Sequence, residues 1–127
     1  MLDDRVRALA EGPNFAAFTT LMPNGQPQTH VMWVGTDGDQ LVINTEVHRQ
    51  KFKNVVADPR VTLAIWDAGN PYSYAEVRGR VVDSVTGPDA LASINELSRK
   101  YTGADYAPEI VSERVILKIS PERQTAR

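Results

Sequence analysis

The residues best suited to chemistry are three cations, Arg49, Lys51 and Lys53, which crowd the early part of the segment 44–56, NTEVHRQKFKNVV. Cations near a helix N-terminus oppose the helix dipole and cost a few tenths of a kcal/mol each. An anion bound there would be held by free backbone N–H groups and by the basic side chains together. The segment therefore predicts a small anion site. A solvated basic helix face is the alternative that this segment alone leaves open.

The same segment is predicted to be a helix. Thr45 is the expected N-cap, because its hydroxyl can accept a hydrogen bond from an unpaired N–H of the first turn. Phe52, Val55 and Val56 recur at the i, i+3, i+4 spacing of a buried helical face. The pair Asp58-Pro59 is expected to end the helix, since a residue before proline disfavours the α region.

Other kinds of reactive site find no support in the sequence. The chain has no cysteine, so disulfides, thiolate metal sites and cysteine nucleophiles are excluded. His30 and His48 stand far apart with no carboxylate at ligand spacing, so no metal site is predicted. The serines lie outside a G-x-S-x-G setting, and neither common nucleotide-binding loop occurs. No catalytic side chain is predicted, and any difficult chemistry would belong to a bound cofactor.

Length and charge limit the class of protein. The chain has 127 residues and a formal net charge of −2. The length favours a single domain that spans residues 1–127, and the net charge is not the positive charge typical of a nucleic-acid-binding protein. The basic cluster is therefore local and suits a small anionic ligand. No run approaches the length of a membrane span, and the charged N-terminal stretch lacks a signal-peptide core. We expect a cytoplasmic protein that binds neither nucleic acid nor membrane.

The helices and strands that must position the cations are predicted to form a mainly β domain. A helix is predicted within 1–12 and a six-stranded antiparallel barrel over 14–121. The strands are expected at 15–22, 27–34, 40–44, 61–66, 72–85 and 114–119. The segment 86–101, with Thr86 as its expected cap, is the clearest amphipathic helix. Short strands separated by turn signals, with helices inserted, favour a small barrel with helices at its ends.

Two further expectations concern aromatic and charged side chains in strands. The longest strand places Tyr74, Glu76, Arg78 and Arg80 on one face, and a face so charged should meet solvent, a ligand or a partner. Trp66 is expected in the core, where aromatic residues of strands usually pack. The strand ending at 119 is expected to stop at Ser120-Pro121.

Read together, four segments resemble the pyridoxamine 5'-phosphate oxidase-like, FMN-binding split-barrel family. They are PNGQPQTHVMWVGTDGDQLVINT, HRQKFKNVVADPRVTLAIWD, NPYSYAEVRGRVV and RVILKISPER. Their order and spacing are similar to the branch of that family that depends on coenzyme F420 and is common in actinobacteria. The resemblance covers residues 15–123 and implies a homodimer of split barrels, with two cofactor sites between the subunits.

The resemblance also implies which residues contact the cofactor. Four would hold its phosphate: Arg49, Gln50, Lys51 and Asn54. Six on the second strand would run along the tricyclic ring: Gln28, Thr29, His30, Val31, Met32 and Trp33. Asn44 and Thr45 would close the polar edge of the ring. Four would approach from the other subunit: Tyr72, Tyr74, Glu76 and Arg78.

The function implied is that of an F420-dependent reductase, which delivers a hydride from the reduced cofactor to a conjugated, electron-poor small molecule such as an enone, quinone or tetrapyrrole. Two alternatives stay open. One is an FMN-binding oxidoreductase, because FMN also presents a phosphate beside a ribityl chain. The other is a deazaflavin carrier without turnover, which would bind the cofactor tightly and reduce no acceptor.

Overall fold

The computed structural model describes all residues from Met1 to Arg127 as one antiparallel sheet with three helices. The elements in chain order are α1 (Asp4–Glu11), β1 (Phe15–Leu21), β2 (Pro27–Trp33), β3 (Gly35–Asp37), β4 (Gln40–Glu46), α2 (Gln50–Ala57), β5 (Arg60–Asp67), β6 (Asn70–Thr86), α3 (Pro88–Thr102) and β7 (Arg114–Ala126). The mainly β class with inserted helices is thus as the sequence predicts.

The sheet has seven strands in the order β2-β1-β5-β6-β7-β4-β3. The seventh strand is β3, which lies between the strands predicted at 27–34 and 40–44 and is not itself predicted. It pairs with β4 across a tight turn, where Gly38 takes a φ of 59°. The sheet curls until β2 approaches β4, but no ladder joins these two strands. The barrel is therefore split between β2 and β4.

One continuous apolar core fills the curled sheet. The alternation along the strands places Phe18, Leu63 and Ile65 inside, with no more than 1% of any of them exposed. The helix α1 packs on this core through Val6 and Leu9. Each buried aliphatic side chain contributes about 1.5–3 kcal/mol of transfer free energy. The core thus provides a rigid frame for the split.

The long strand β6 has two different faces, as its sequence predicts. Ala75 and Val77 point into the core, whereas Tyr72 is 87% exposed. Gly79 is a required glycine, because a Cβ there would collide with the carbonyl oxygen of Ser120 on β7. Beside this contact the pairing register of β6 and β7 shifts.

The shift carries β7 past Ser120-Pro121, so the prediction that this pair ends the last strand is wrong. A proline is tolerated where a bulge interrupts the ladder, and β7 continues to Ala126. Trp66 is also not a core residue. It is half-buried on the outside of the sheet, with its ring 6.3 Å from that of Phe15.

The second helix begins later than the sequence predicts. The strand β4 extends through Thr45 to Glu46, so Thr45 cannot be the N-cap. Arg49 occupies that position, with extended dihedrals and no side-chain cap bond. Val56 is 67% exposed, and Lys51 and Asn54 join Val55 on the buried face instead. Polar groups thus replace apolar residues on this face.

The third helix follows β6 without a gap. Thr86 is the last residue of the strand and not the cap. Gly87 is the N-cap, with a φ of 80° that favours glycine. Pro88 then starts the helix, at the position where its missing N–H costs nothing. No helix of the three is both long enough and apolar enough to cross a membrane.

Candidate functional site

A groove of about 420 Å³ lies in the split between β2 and β4. Its walls come from β2, β4, the start of α2, the loop between α3 and β7, and the start of β7. The lining residues are His30, Val31, Met32, Asn44, Thr45, Arg49, Gln50, Lys51, Tyr106 and Arg114. Eight of the sixteen residues implied as cofactor contacts therefore share one concave surface.

The groove continues into an apolar recess of about 270 Å³. Five residues line both parts, and four others line the recess alone: Phe15, Trp33, Ile94 and Leu97. Trp33 stacks on Tyr101 with ring centroids 5.1 Å apart and planes 5° apart, and Tyr106 meets it edge-on at 6.3 Å. This aromatic cluster gives the recess flat, rigid walls, which suit a planar ligand.

The opposite part of the groove, at the start of α2, is its cation end, made by Arg49 and Lys51. Neither side chain has a carboxylate within 4 Å, although Lys51 is only 8% exposed. The backbone N–H groups of Gln50 and Lys51 also make no hydrogen bond within the chain. Two free N–H groups and two unpaired cations thus point to one anion.

The cations change the titration of their neighbours. Burial, followed by the positive charges of Arg49 and Arg114, lowers the pKa of the Lys51 ammonium. Partial burial, together with Lys51 and Arg49, lowers the pKa of His30. His30 is therefore a neutral imidazole at pH 7, able to donate one hydrogen bond and accept another.

Asn54, implied as a phosphate contact, is 1% exposed and does not line the groove. Its amide nitrogen donates to Thr20 Oγ1 at 2.9 Å and to Gln28 Oε1 at 3.2 Å. Its amide oxygen accepts from Gln50 Nε2 at 2.8 Å. In this chain Asn54 joins β1, β2 and α2 at the cation end. Gln28 belongs to this network and does not line the groove.

A second polar network lies where the groove meets the recess. The Arg114 guanidinium donates to Asn44 Oδ1 at 2.8 Å and to Glu46 Oε1 at 3.2 Å. Its charged carbon lies 5.2 Å from the centre of the Tyr106 ring. Asn44 in turn donates to the Ala90 carbonyl of α3 at 2.9 Å. No buried side-chain polar atom of the protein lacks a partner, so each fully buried polar atom of this network has one.

Besides Gln28 and Asn54, five of the implied contacts line neither the groove nor the recess within one chain. Thr29 points to the other side of β2, where its hydroxyl lies 2.7 Å from that of Thr19. The other four, Tyr72, Tyr74, Glu76 and Arg78, lie on the outer face of β6. Glu76 and Arg78 form an ion pair at 3.0 Å. A second copy of the chain would have to carry these four side chains to a groove.

Sequence reasoning missed Glu46, Tyr106 and Arg114. Arg114 had a signal, because a lone charge that starts the apolar run RVILKI must find a buried partner. Tyr106 lies in a loop and had none. In the folded chain no group of three or more metal-ligating side chains lies together.

Comparison with known proteins identifies the family. The family model described as pyridoxamine 5'-phosphate oxidase matches residues 2–126. The chain belongs to the pyridoxamine 5'-phosphate oxidase family. The family's split-barrel architecture, expected from the four segments, is thereby confirmed, with the sheet open between β2 and β4. No curated protein sequence matches the chain.

Solved structures of this fold include a protein named F420 reductase, which is 32% identical over 98% of both chains with a TM-score of 0.85. A conserved hypothetical protein of Mycobacterium tuberculosis is 24% identical over 99% of this chain and 84% of that one, with a TM-score of 0.75. The General Stress Protein 26 of Bacillus anthracis is 19% identical over 97% and 91%, with a TM-score of 0.69. The latter two show the fold alone. The family and the first structure support an oxidoreductase of flavin or deazaflavin type.

Proposed function

We propose that this member of the pyridoxamine 5'-phosphate oxidase family is a cytoplasmic, homodimeric reductase that uses reduced coenzyme F420. The observation that carries the proposal is the shape and charge of the groove, which joins an unpaired cation end to a flat apolar recess. A phosphorylated cofactor with a planar ring has these two parts in this order. The 32% identity to a protein named F420 reductase favours the deazaflavin.

The residues at the cation end fit a phosphate. Lys51 is buried to 8% exposure and has no counterion within the chain, so it places in the groove a desolvated positive charge that only an external anion can compensate. Arg49 and the free N–H groups of Gln50 and Lys51 add donors on the same side. These groups would hold the phosphate of either F420 or FMN.

The residues of the recess would hold the ring and exclude water. Trp33, Met32 and Tyr106 offer apolar surface on both sides of the space, and the stacked Tyr101 keeps Trp33 in place. When bound, reduced F420 supplies a hydride from ring carbon C5 to an acceptor. The protein's part is to fix the ring and a conjugated, electron-poor acceptor face to face. His30, held neutral, is not a strong acid, so the proton comes from solvent or a nearby hydroxyl.

The cofactor is tested by titrating the apoprotein with F420 and FMN in parallel, followed by a panel of enones, quinones and tetrapyrroles with the reduced cofactor. Tighter binding of F420 and reduction of at least one acceptor class are expected. Stoichiometric FMN after purification, with no F420 affinity, would assign the FMN-binding alternative, which the family model favours. Tight F420 binding without turnover would assign the carrier.

The homodimer is the part of the proposal that would bring Tyr72, Tyr74, Glu76 and Arg78 to a cofactor. Tyr72 and Tyr74 are 87% and 37% exposed on the same face of β6, and adjacent exposed aromatic side chains favour a covering partner. A two-fold dimer with both sites at its interface is expected in sedimentation. A stable monomer with full cofactor affinity would contradict it.

A further inference from the structure

One buried carboxylate, Glu46, ties together two walls of the site without lining either cavity. It lies at the end of β4 and is 4% exposed. Its Oε2 accepts from the backbone N–H groups of Val111 and Ser112, at 3.0 and 2.5 Å, and from the Ser112 hydroxyl at 3.2 Å. Its Oε1 accepts from Arg114 Nη1 at 3.2 Å. One side chain thus holds both a loop and a cation.

The loop is the segment 103–113, which we name the roof loop because it carries Tyr106 over the groove. Its start is tied to α3, where the N–H of Tyr106 donates to Asn95 Oδ1 at 2.9 Å. Residues 107–110 make no hydrogen bond within the chain. The next attachment is at Val111 and Ser112, on Glu46. Asp105 also pairs with Arg99 of α3 at 2.6 Å, and the N–H of Val47 donates to the Glu113 carbonyl at 2.9 Å. The position of Tyr106 therefore depends on attachments on both sides of it, and Glu46 is the buried charged one.

Arg114 depends on the same carboxylate. It is 8% exposed and lies under the Tyr106 ring, where an unpaired guanidinium would be costly. Glu46 compensates its charge, and together with Asn44 it fixes the plane of the guanidinium. Only two of the five N–H donors of Arg114 are used by these partners. The other donors are available where the groove meets the recess.

We infer that Glu46 is the positioning residue of the ring end of the site: it sets Tyr106, through the roof loop, and Arg114 in the places where they would meet the cofactor ring. This inference rests on the proposed function for the identity of the ligand. The part of the inference that concerns the roof loop rests on the geometry alone and does not depend on the proposed function. An apolar residue at this β4 position would fill the space as well, but it would leave Arg114 without a counterion and two loop N–H groups without an acceptor.

The loop is tested first, by hydrogen exchange of the apoprotein with Glu46→Gln. Glutamine keeps the shape but loses the charge-assisted acceptor, so exchange of the hydrogen-bonded amides of the roof loop, those of Tyr106, Val111 and Ser112, should rise about tenfold or more. The matched control is Glu113→Gln, because the Glu113 side chain is exposed and makes no hydrogen bond or ion pair. It should change exchange less than about twofold. Equal exchange in wild type and Glu46→Gln would overturn the inference.

The ring end is tested next, by comparing two ligands on the same variant. Inorganic phosphate reports only the cation end, whereas F420 also reports the recess. Glu46→Gln should weaken F420 binding about tenfold and phosphate binding less than about twofold. Equal losses of both affinities, in step with a lower Tm, would indicate a purely structural role and overturn the inference.

Ser112→Ala is a milder second variant, to be used if Glu46→Gln fails to fold. It removes one contact of Glu46 and leaves the buried ion pair intact. Amide exchange in the roof loop should rise about threefold, and an unchanged exchange rate would count against the role of Glu46 in holding the loop. If the wild type binds neither F420 nor FMN, the proposed function fails, and the exchange experiment still decides the role of Glu46 in the loop.

Discussion

Two groups of cations on this protein differ in whether the chain supplies their counterions. On the outer face of the sheet, Arg80 pairs with Glu122 at 3.2 Å and Arg60 with Asp58 at 2.7 Å. In the groove, Arg49 and Lys51 have no such partner. The outer pairs are exposed and contribute little to stability, and they leave that face nearly neutral. The groove keeps a local positive field that only a ligand can compensate.

The comparison explains why the count of basic residues does not locate the site. Asp58 illustrates a satisfied pair: its hydrogen bonds with Arg60 lower the pKa of its carboxyl to about 2. Lys51 shows the opposite effect, because burial and the nearby cations lower its pKa and make its charge unfavourable among the chain's own residues. A cation destabilised by its surroundings is typical of a binding site.

The largest expected effect is that of Lys51→Met, which keeps the buried stem and removes the charge. A charge-assisted contact to phosphate contributes about 1.5–3 kcal/mol, so cofactor affinity should fall at least about tenfold. The Tm of the apoprotein should stay or rise, since an unfavourable buried charge is lost. The control is Lys53→Met on the exposed side of the same helix. Equal affinity of Lys51→Met and wild type would contradict the phosphate site.

The alkaline pH dependence of anion binding sharpens the same comparison. The folded pKa of Lys51 is below its ordinary value of 10.5, so the ammonium deprotonates earlier than in the unfolded chain. As the pH rises, affinity for inorganic phosphate should therefore start to fall before pH 10.5 is reached. The stability of the apoprotein should rise over the same range, because an unfavourable buried charge is lost. Lys51→Met should remove both trends in titration calorimetry and in thermal melts.

A smaller effect is expected at acid pH from Glu46. Burial alone would raise the pKa of its carboxyl, but hydrogen bonds from Ser112 and the charge of Arg114 outweigh burial and hold the pKa below 4.5. The ionised Glu46 therefore stabilises the folded protein at pH values above the pKa that this carboxyl has in the unfolded chain. This stabilisation is lost as the pH falls through the pKa of Glu46 in the folded chain. His48 Nδ1 lies 3.6 Å from the carboxylate. Exchange of the roof loop, corrected for intrinsic rates, should rise only below pH 4.5, and not at all in Glu46→Gln.

The smallest effect is expected for Arg80→Gln on the outer face. Its ion pair with Glu122 is half-exposed and screened by solvent and salt. Cofactor affinity should change less than about twofold and the Tm only slightly. A tenfold loss of affinity would show that the outer face also serves the site, and the contrast between the two groups of cations would not hold.

The sequence by itself determined the local features whose causes are local. The turn and strand signals predicted six of the seven strands and the two-faced character of β6, because alternation is a property of consecutive residues. The charge cluster at Arg49 and Lys51 indicated an anion site, because its residues lie close together within one short segment of the sequence. The four family segments predicted the split barrel, which the family match confirms. The cofactor contacts implied for individual residues stay predictions.

Only the tertiary structure decided which side chains meet. Thr45 lies in β4 and not at a helix cap, because pairing with β7 extends the strand by cross-strand hydrogen bonds that local propensity does not contain. Asn54 turns inward because Thr20 and Gln28, distant in sequence, accept its hydrogen bonds. Glu46 and Arg114 are 68 positions apart and form their buried pair only once β4 and β7 are adjacent. Such contacts depend on the packing of whole elements, which a pattern within one segment cannot specify.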